Sequence, residues 1–193
     1  MKKRILIFNA NPGKESFCAE LSRKYYEGAK QSGADAELIN LIDLKFDLIL
    51  RNGYKKDQKV ENDIKNIREK IKNSNHLVFV FPNWWGTYPA LLKGFVDRVF
   101  VPEFAFRYRK NSLMWDKLLK GKTARLIVTM DTPRWYYSLF YKSPGINSFK
   151  KSVLKFCGIS PVKTIIFSPI KKSTDKQRSY WLKYAKRLGI EEK

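Results

Sequence analysis

Short apolar runs alternate with amphipathic segments along this chain. The first apolar run covers residues 4–8 and is followed by a turn-rich loop. Apolar residues then recur at intervals of four, at Phe17, Leu21, Tyr25 and Ala29. This spacing places them on one face of a helix, which Ser16 can cap and Gly33 can end. The pattern therefore predicts a strand, a loop and a helix at the start of the chain.

The same alternation continues through the rest of the sequence. Further apolar runs predict strands at 36–41, 76–81, 124–129 and 162–167. Helical spacing predicts helices at 60–72, from Pro89 to 99, at 147–156 and at 173–187. A loop with a short aromatic segment covers residues 131–141. The chain therefore reads as five strands separated by helices or by longer irregular segments.

This order of elements predicts the architecture. Parallel strands need right-handed crossovers, so five strands with intervening helices indicate a parallel sheet covered on both faces. No repeat or linker divides the sequence, and we expect one α/β domain over residues 1–193. The doubly wound strand order 2-1-3-4-5 fits five strands and sets strands 1, 3 and 4 side by side. The loops after these three strands should therefore form the ligand site.

The first of these loops, residues 9–17 (NANPGKESF), leads into a helix. Free N–H groups at a helix N-terminus attract phosphate, and Ser16 can add a hydroxyl. The Walker A spacing and the GxGxxG fingerprint are both absent, which argues against a P-loop NTPase and a dinucleotide-binding Rossmann domain. A simple turn with a helix cap remains the alternative for this loop.

The second and third loops are rich in aromatic residues. Residues 82–90 (PNWWGTYPA) put Trp84 and Trp85 before Gly86, and residues 130–137 (MDTPRWYY) add three more aromatics. Adjacent tryptophans beside a permissive glycine suit a flat ligand such as a flavin, whose pyrimidine edge can accept backbone hydrogen bonds. Core packing is the alternative for the two tryptophans.

Composition narrows the classes of protein. The 193 residues include 44% hydrophobic residues, which is enough for a buried core. The longest apolar run, 77–81, is too short to span a bilayer, and the N-terminus lacks a signal-peptide pattern, so we expect a cytoplasmic protein. Cys18 and Cys157 are far apart, and His76 is the single histidine, so neither a disulfide framework nor a metal site is expected.

The net charge is +21, from 39 basic and 18 acidic residues. Residues 101–193 carry 21 basic and 6 acidic side chains, so the excess lies mainly in the second half. Such a field concentrates anions, including dinucleotides, acidic lipid headgroups and nucleic acid, without selecting among them. A solvated lysine-rich surface is the alternative, and no docking element for specific nucleic acid is found.

Three segments carry a family resemblance. They are residues 16–21 (SFCAEL), 81–100 (FPNWWGTYPALLKGFVDRVF) and 103–108 (EFAFRY), and the similarity continues to FCG at 156–158. They resemble the flavodoxin-like NAD(P)H:quinone reductases, which include ancillary flavoproteins of bacterial potassium-efflux systems. The resemblance implies a flavodoxin-like fold and a homodimer with FMN or FAD. It also implies ping-pong hydride transfer from NADH or NADPH, through the flavin N5, to a quinone or other aromatic acceptor.

The resemblance also implies roles for single residues. The implied flavin-binding residues are Asn11, Ser16, Phe17, Cys18, Pro82, Asn83, Trp84, Trp85, Gly86, Thr129, Met130 and Asp131. The implied substrate pocket contains Trp85, Phe106, Tyr108 and Tyr136, with Phe106 and Tyr108 closing the partner's pocket. Tyr108, Tyr136 and Tyr137 are the candidate catalytic residues.

Two positions depart from the family pattern. Asp131-Thr132 replaces a glycine pair, and a carboxylate there could oppose an anionic hydroquinone. The family's pocket histidine is missing, so a proton must come from Tyr136, Tyr137 or water. An alternative function is a regulatory flavoprotein that binds a potassium-efflux transporter or touches an anionic membrane. The sequence leaves open the choice between FMN and FAD, the preferred nicotinamide and the acceptor.

Overall fold

Five parallel strands form the central sheet of the computed structural model, which describes residues 2–54 and 58–192. These strands are β1 (Arg4–Asn9), β2 (Asp35–Asn40), β3 (His76–Pro82), β6 (Thr123–Thr129) and β7 (Val162–Phe167). Their order across the sheet is β2-β1-β3-β6-β7. Counted along the sheet strands alone, this is the order 2-1-3-4-5, and the fold prediction is confirmed.

Helices cover both faces of the sheet. They are α1 (Phe17–Gln31), α2 (Asn62–Asn73), α3 (Ala90–Val99), α4 (Arg134–Leu139), α5 (Pro144–Asn147) and α6 (Asp175–Ile190). A 3-10 turn (Leu41–Asp43) follows β2, and α5 continues into a π-helix (Ser148–Lys155). No helix in the described ranges is both long enough and apolar enough to cross a bilayer.

The two faces have separate apolar cores. One core joins β1, β3 and β6 to α1 and α6, and the other joins them to α2, α3 and the π-helix. Helices α1 and α6 touch backbone to backbone where Gly28 meets Gly189. A Cβ atom built on Gly28 would lie 2.0 Å from the carbonyl oxygen of Lys186, so only glycine permits this approach.

The structure differs from the sequence predictions in four places. A hairpin of β4 (Phe106–Tyr108) and β5 (Trp115–Lys117) was not predicted, because three-residue strands carry no usable alternation. Pro89 is the residue before α3 rather than its first residue. Residues 131–141 contain α4, and the helix predicted at 147–156 is mostly π-helical, a distinction that apolar spacing cannot make.

A polar cluster lies at the opposite end of the sheet from the predicted site. Glu192 accepts hydrogen bonds from Arg125 and from Lys3, the latter at 3.2 Å. His76 is buried, and its Nδ1 lies 2.6 Å from the hydroxyl of Thr123. Burial lowers the pKa of His76 to about 4. The cluster attaches the C-terminal end of the chain to the sheet. His76 therefore has a structural role and lies far from the three loops.

Candidate functional site

The three loops predicted to form a site meet at the carboxyl edge of the sheet. The amide of Ala10 donates to the carbonyl of Val80 at 2.9 Å, which joins the first loop to β3. The amide of Asn83 donates to the carbonyl of Thr129 at 2.7 Å, which joins the second loop to the third. Cys18 and Thr129 share a 3.2 Å hydrogen bond between their side chains. The strand order therefore brings together the loops that the sequence singled out.

The start of α1 offers hydrogen-bond donors toward the first loop. The hydroxyl of Ser16 accepts from the amide of Ala19 at 3.2 Å, so Ser16 is the cap that the sequence predicted. The amides of Phe17 and Cys18 come before Ala19, in the first turn, where a helix has no internal acceptor for them. Such amides and the helix dipole favour an anion.

Arg178 adds positive charge at this helix start. A cavity of about 400 Å³ is lined by the basic residues Lys14, Arg23 and Arg178, by Ser16 and Phe17, and by the acidic residues Glu15 and Glu20. The Arg178 guanidinium lies 6.0 Å from the centre of the Phe17 ring and donates to the carbonyl of Ile170 at 3.1 Å. Sequence reasoning missed Arg178, because it lies far along the chain in α6 and only helix packing brings it to α1.

The second loop is a tight turn that presents its tryptophans to solvent. Trp84 and Thr87 exchange two backbone hydrogen bonds, of 2.8 and 2.9 Å. The two central residues have positive φ angles, 52° at Trp85 and 77° at Gly86. Trp85 is fully exposed and Trp84 is about half exposed. The core-packing alternative for these two side chains is therefore wrong.

Tyr137 and Gly145 hold this turn in place. The carbonyl oxygen of Gly86 accepts from the Tyr137 hydroxyl at 2.9 Å and from the Gly145 amide at 3.0 Å. A Cβ atom on Gly145 would lie 2.5 Å from the Cα atom of Thr87. Tyr137 is buried, and burial raises the pKa of its hydroxyl. We therefore correct the expectation of a catalytic Tyr137: its hydroxyl is used to position the turn.

The acidic side chain of the third loop contacts the segment that follows β7. The carboxylate of Asp131 accepts from the amide of Lys171 at 2.8 Å, and the Lys171 ammonium lies 3.5 Å from its other oxygen. Lys171 offsets part of this charge, and the expected opposition between Asp131 and an anionic ring stays a prediction. Met130 is buried, its amide donates to the carbonyl of Phe167 at 3.1 Å, and its carbonyl accepts from the amide of Ile170 at 3.1 Å, so it has no free backbone donor for a ligand.

Burial also limits what two other expected site residues can contact. Cys18 is buried, and burial raises the pKa of its thiol to about 11, so only its backbone amide can serve an anion at the start of α1. Phe106 is buried in its own chain, with its ring centre 5.0 Å from that of Phe156. Tyr108 is exposed beside it and is the member of this pair that can reach another molecule.

Tyr136 stands at the surface next to the third loop. Its ring stacks on Phe140 at 4.8 Å and lies edge to face with Trp135 at 5.6 Å. Of the two tyrosines considered as proton donors, Tyr136 is the exposed one. Within residues 2–54 and 58–192, no group of His, Cys, Asp and Glu side chains is arranged to hold a metal ion.

The residues of the three loops are better suited to binding a flavin than to binding a metal ion or to forming a turn without a ligand. Exposed indole faces can stack on a flat ring, and the Trp85–Gly86 turn is held rigidly at its carbonyl side. The start of α1, with Ser16 and Arg178, lies on the same edge and can receive a phosphate. The contacts with the flavin ring and those with its phosphate would thus come from different loops at the same edge of the sheet.

Comparison with known proteins finds a matching family model, similar sequences and similar solved structures. Residues 3–188 match the family model described as a flavodoxin-like fold. A protein of Haemophilus influenzae named uncharacterized NAD(P)H oxidoreductase is 25% identical over 185 residues, covering 93% of this chain and 91% of that protein. NAD(P)H dehydrogenase (quinone) 1 of Cavia porcellus is 28% identical over 181 residues, covering 81% and 65%. The crystal structure of Smu.1420 from Streptococcus mutans UA159 is 30% identical with a TM-score of 0.81, covering 97% of this chain and 99% of that one.

Proposed function

The chain belongs to the family with the flavodoxin-like fold, and from this membership we propose that it is a flavin-dependent NAD(P)H:quinone-type oxidoreductase. The observation that carries the proposal is the Trp84–Thr87 turn, held by Tyr137 and Gly145 on the same edge as the start of α1. The names of the relatives reported above support an NAD(P)H-using reductase. None of those names supports the alternative of a transporter subunit.

In this proposal the chain holds FMN or FAD by its two ends. The amides of Phe17 and Cys18, in the first turn of α1, and the Ser16 hydroxyl bind the phosphate by donating hydrogen bonds. Arg178, which lines one cavity together with Ser16 and Phe17, adds positive charge there. The Trp84–Thr87 turn holds the ring, and residues 129–131 lie along its other edge. When bound, the flavin supplies two-electron chemistry, taking a hydride from NAD(P)H and passing it to an acceptor.

The aromatic residues around the ring form the substrate slot. Trp85 and Tyr136 are exposed beside the turn and can enclose a flat nicotinamide or quinone. Because one slot serves both, donor and acceptor occupy it in turn, which is a ping-pong cycle. Tyr136 can donate a proton to the acceptor oxygen. Tyr108 of a second copy would close the slot in a homodimer.

Reconstitution tests this proposal directly. The purified chain is incubated with FMN or FAD, desalted, and examined by visible absorption before NADH and NADPH oxidation is measured with a water-soluble quinone. We expect retained flavin absorbance and quinone-dependent oxidation. A protein that retains neither flavin would contradict the proposal.

A matched pair of glycine variants distinguishes an effect on the Trp84–Thr87 turn from a general effect of backbone strain. Gly86 and Gly121 both have strongly positive φ angles, 77° and 79°, and neither meets a close neighbour at its Cβ position. Gly86→Val should lose flavin retention, whereas Gly121→Val carries similar strain and should keep it. Equal flavin loss in the two variants would count against a ring site at the Trp84–Thr87 turn.

A further inference from the structure

Helix α4 has its apolar residues on the outside. Tyr137 is buried, whereas Trp135, Leu139 and Phe140 are each 60% exposed or more. The neighbouring rings of Tyr136 and Tyr141 extend this surface, with centres 5.5 Å apart. Single exposed apolar side chains are ordinary, but a contiguous exposed patch of this kind marks a contact with another phase or molecule.

A basic cleft borders this patch. Arg134 and Ser138 lie one helical turn apart and line a cavity of about 430 Å³ together with Lys142, Ser143, Asn147, Lys150 and Thr164. The hydroxyl of Thr164 is buried and has no hydrogen-bond partner among the residues that the structure describes. Three cations and several hydroxyl or amide groups around one cleft favour a phosphate ester.

The sequence around the patch is free of acidic residues. Between Asp131 and Asp175 there are eight basic residues and no Asp or Glu. The positive charge of these basic residues indicates which kind of partner can bind at the patch. The proposed homodimer meets the slot through Tyr108, whereas two copies that paired symmetrically through Trp135, Leu139 and Phe140 would bring their basic rims together, which costs free energy. An anionic surface would be attracted by every charge at the rim.

We propose that α4 and the adjacent cleft bind anionic phospholipid bilayers. We define the lipid-facing surface as Arg134, Trp135, Leu139, Phe140, Lys142 and Lys150. The apolar members enter the headgroup region, as Trp, Leu and Phe do in interfacial helices, while the basic members contact lipid phosphates. The proposal does not depend on flavin binding. Since Tyr137 and Gly145 join this segment to Gly86, a bound bilayer would lie beside the proposed slot.

Vesicle sedimentation of the full chain, with and without flavin, tests the proposal. We expect the protein to pellet with phosphatidylcholine vesicles that contain about a third phosphatidylglycerol, and to stay in the supernatant with phosphatidylcholine alone. Equal binding to both vesicles, or binding to neither, would overturn the proposal.

Two pairs of double variants locate the contact. Leu139→Ser with Phe140→Ser should weaken binding at least about tenfold, because it removes the apolar anchor. The matched control, Ile49→Ser with Tyr180→Ser, removes side chains of similar exposure elsewhere and should bind like the wild type. Lys142→Glu with Lys150→Glu should also weaken binding at least about tenfold, and the control is Lys65→Glu with Lys72→Glu in α2.

The remaining outcomes would show that something other than lipid binding at this surface explains the result. Equal loss in the control variants would show that net charge rather than this surface drives binding, and would overturn the proposal. Release of the protein from vesicles by inorganic phosphate, but not by sodium chloride of equal ionic strength, would identify a site for soluble phosphates instead. A change in oligomeric mass with the Leu139 and Phe140 variant would identify a protein interface. Thermal unfolding of each variant shows whether it is folded.

Discussion

The hydroxyl of Tyr137 donates a 2.9 Å hydrogen bond to the carbonyl oxygen of Gly86. This bond joins α4 to the turn that carries Trp84 and Trp85, although 51 positions separate the two residues. Because Tyr137 is buried, its ring and hydroxyl are fixed, and the turn is fixed with them. The exposed tryptophans are thus presented on a supported loop.

Removal of this hydroxyl should loosen the turn. We expect Tyr137→Phe to weaken flavin binding by about three- to tenfold, which corresponds to the loss of one hydrogen bond of about 1 kcal/mol. Fluorescence titration of the apoprotein with flavin measures this. The control is Tyr136→Phe, which should keep flavin affinity and lower the turnover number. Unaltered flavin affinity in Tyr137→Phe would show that the Gly145 amide suffices to hold the turn.

Arg178 is the residue whose charge only the tertiary structure connects with the site. We expect Arg178→Gln to weaken flavin binding at least about tenfold, because charge-assisted hydrogen bonds to phosphate contribute about 1.5–3 kcal/mol. Lys176→Gln removes an equal charge from an exposed position of the same helix and should have little effect. Equal flavin affinities in the two variants would remove Arg178 from the proposed phosphate site.

Tyr108 tests the proposed homodimer. Tyr108→Ala should lower quinone turnover about tenfold or more while flavin absorbance stays unchanged, because the residue would act on the slot of another copy. Steady-state kinetics and the flavin-to-protein ratio measure the two effects. Tyr180→Ala is a fair comparison, since both tyrosines are 64% exposed. Unchanged turnover in Tyr108→Ala, with flavin retained, would contradict a shared slot.

The His76 cluster predicts how stability depends on pH. The pKa of His76 is lowered from 6.5 to about 4 in the folded chain, so its contribution is complete above pH 6.5 and is lost as the pH falls toward 4. Burial opposes the charge of Glu192, but His76, Arg125 and Lys3 lower its pKa to about 2 overall. Its contribution is complete above pH 4.5 and is lost toward pH 2.

Denaturant unfolding at several pH values measures this dependence. We expect the free energy of unfolding to fall by about 3 kcal/mol between pH 6.5 and pH 4, since each pKa unit corresponds to about 1.4 kcal/mol. His76→Gln should flatten the curve in this window, and Glu192→Gln should flatten it below pH 4.5. A curve for His76→Gln that still parallels the wild type from pH 6.5 to 4 would refute the assignment.

Much of the fold could be read from local patterns. The strand predicted at 162–167 coincides with β7, and the other four sheet strands lie within one residue of their predicted ends. Apolar runs and helical spacing act over a few neighbouring residues, which is why they can be recognised without the fold. The strand order then follows from the common doubly wound arrangement that fits five strands.

The sequence by itself therefore determined the parallel sheet, its order and the three loops at its carboxyl edge. The tertiary structure decided what the side chains in those loops do. It turned Asp131 toward Lys171, buried Cys18 and Tyr137, and brought Arg178 to the start of α1. These outcomes depend on partners far apart in the chain, whose contacts exist only after the helices pack. Local spacing contains no information on such pairs.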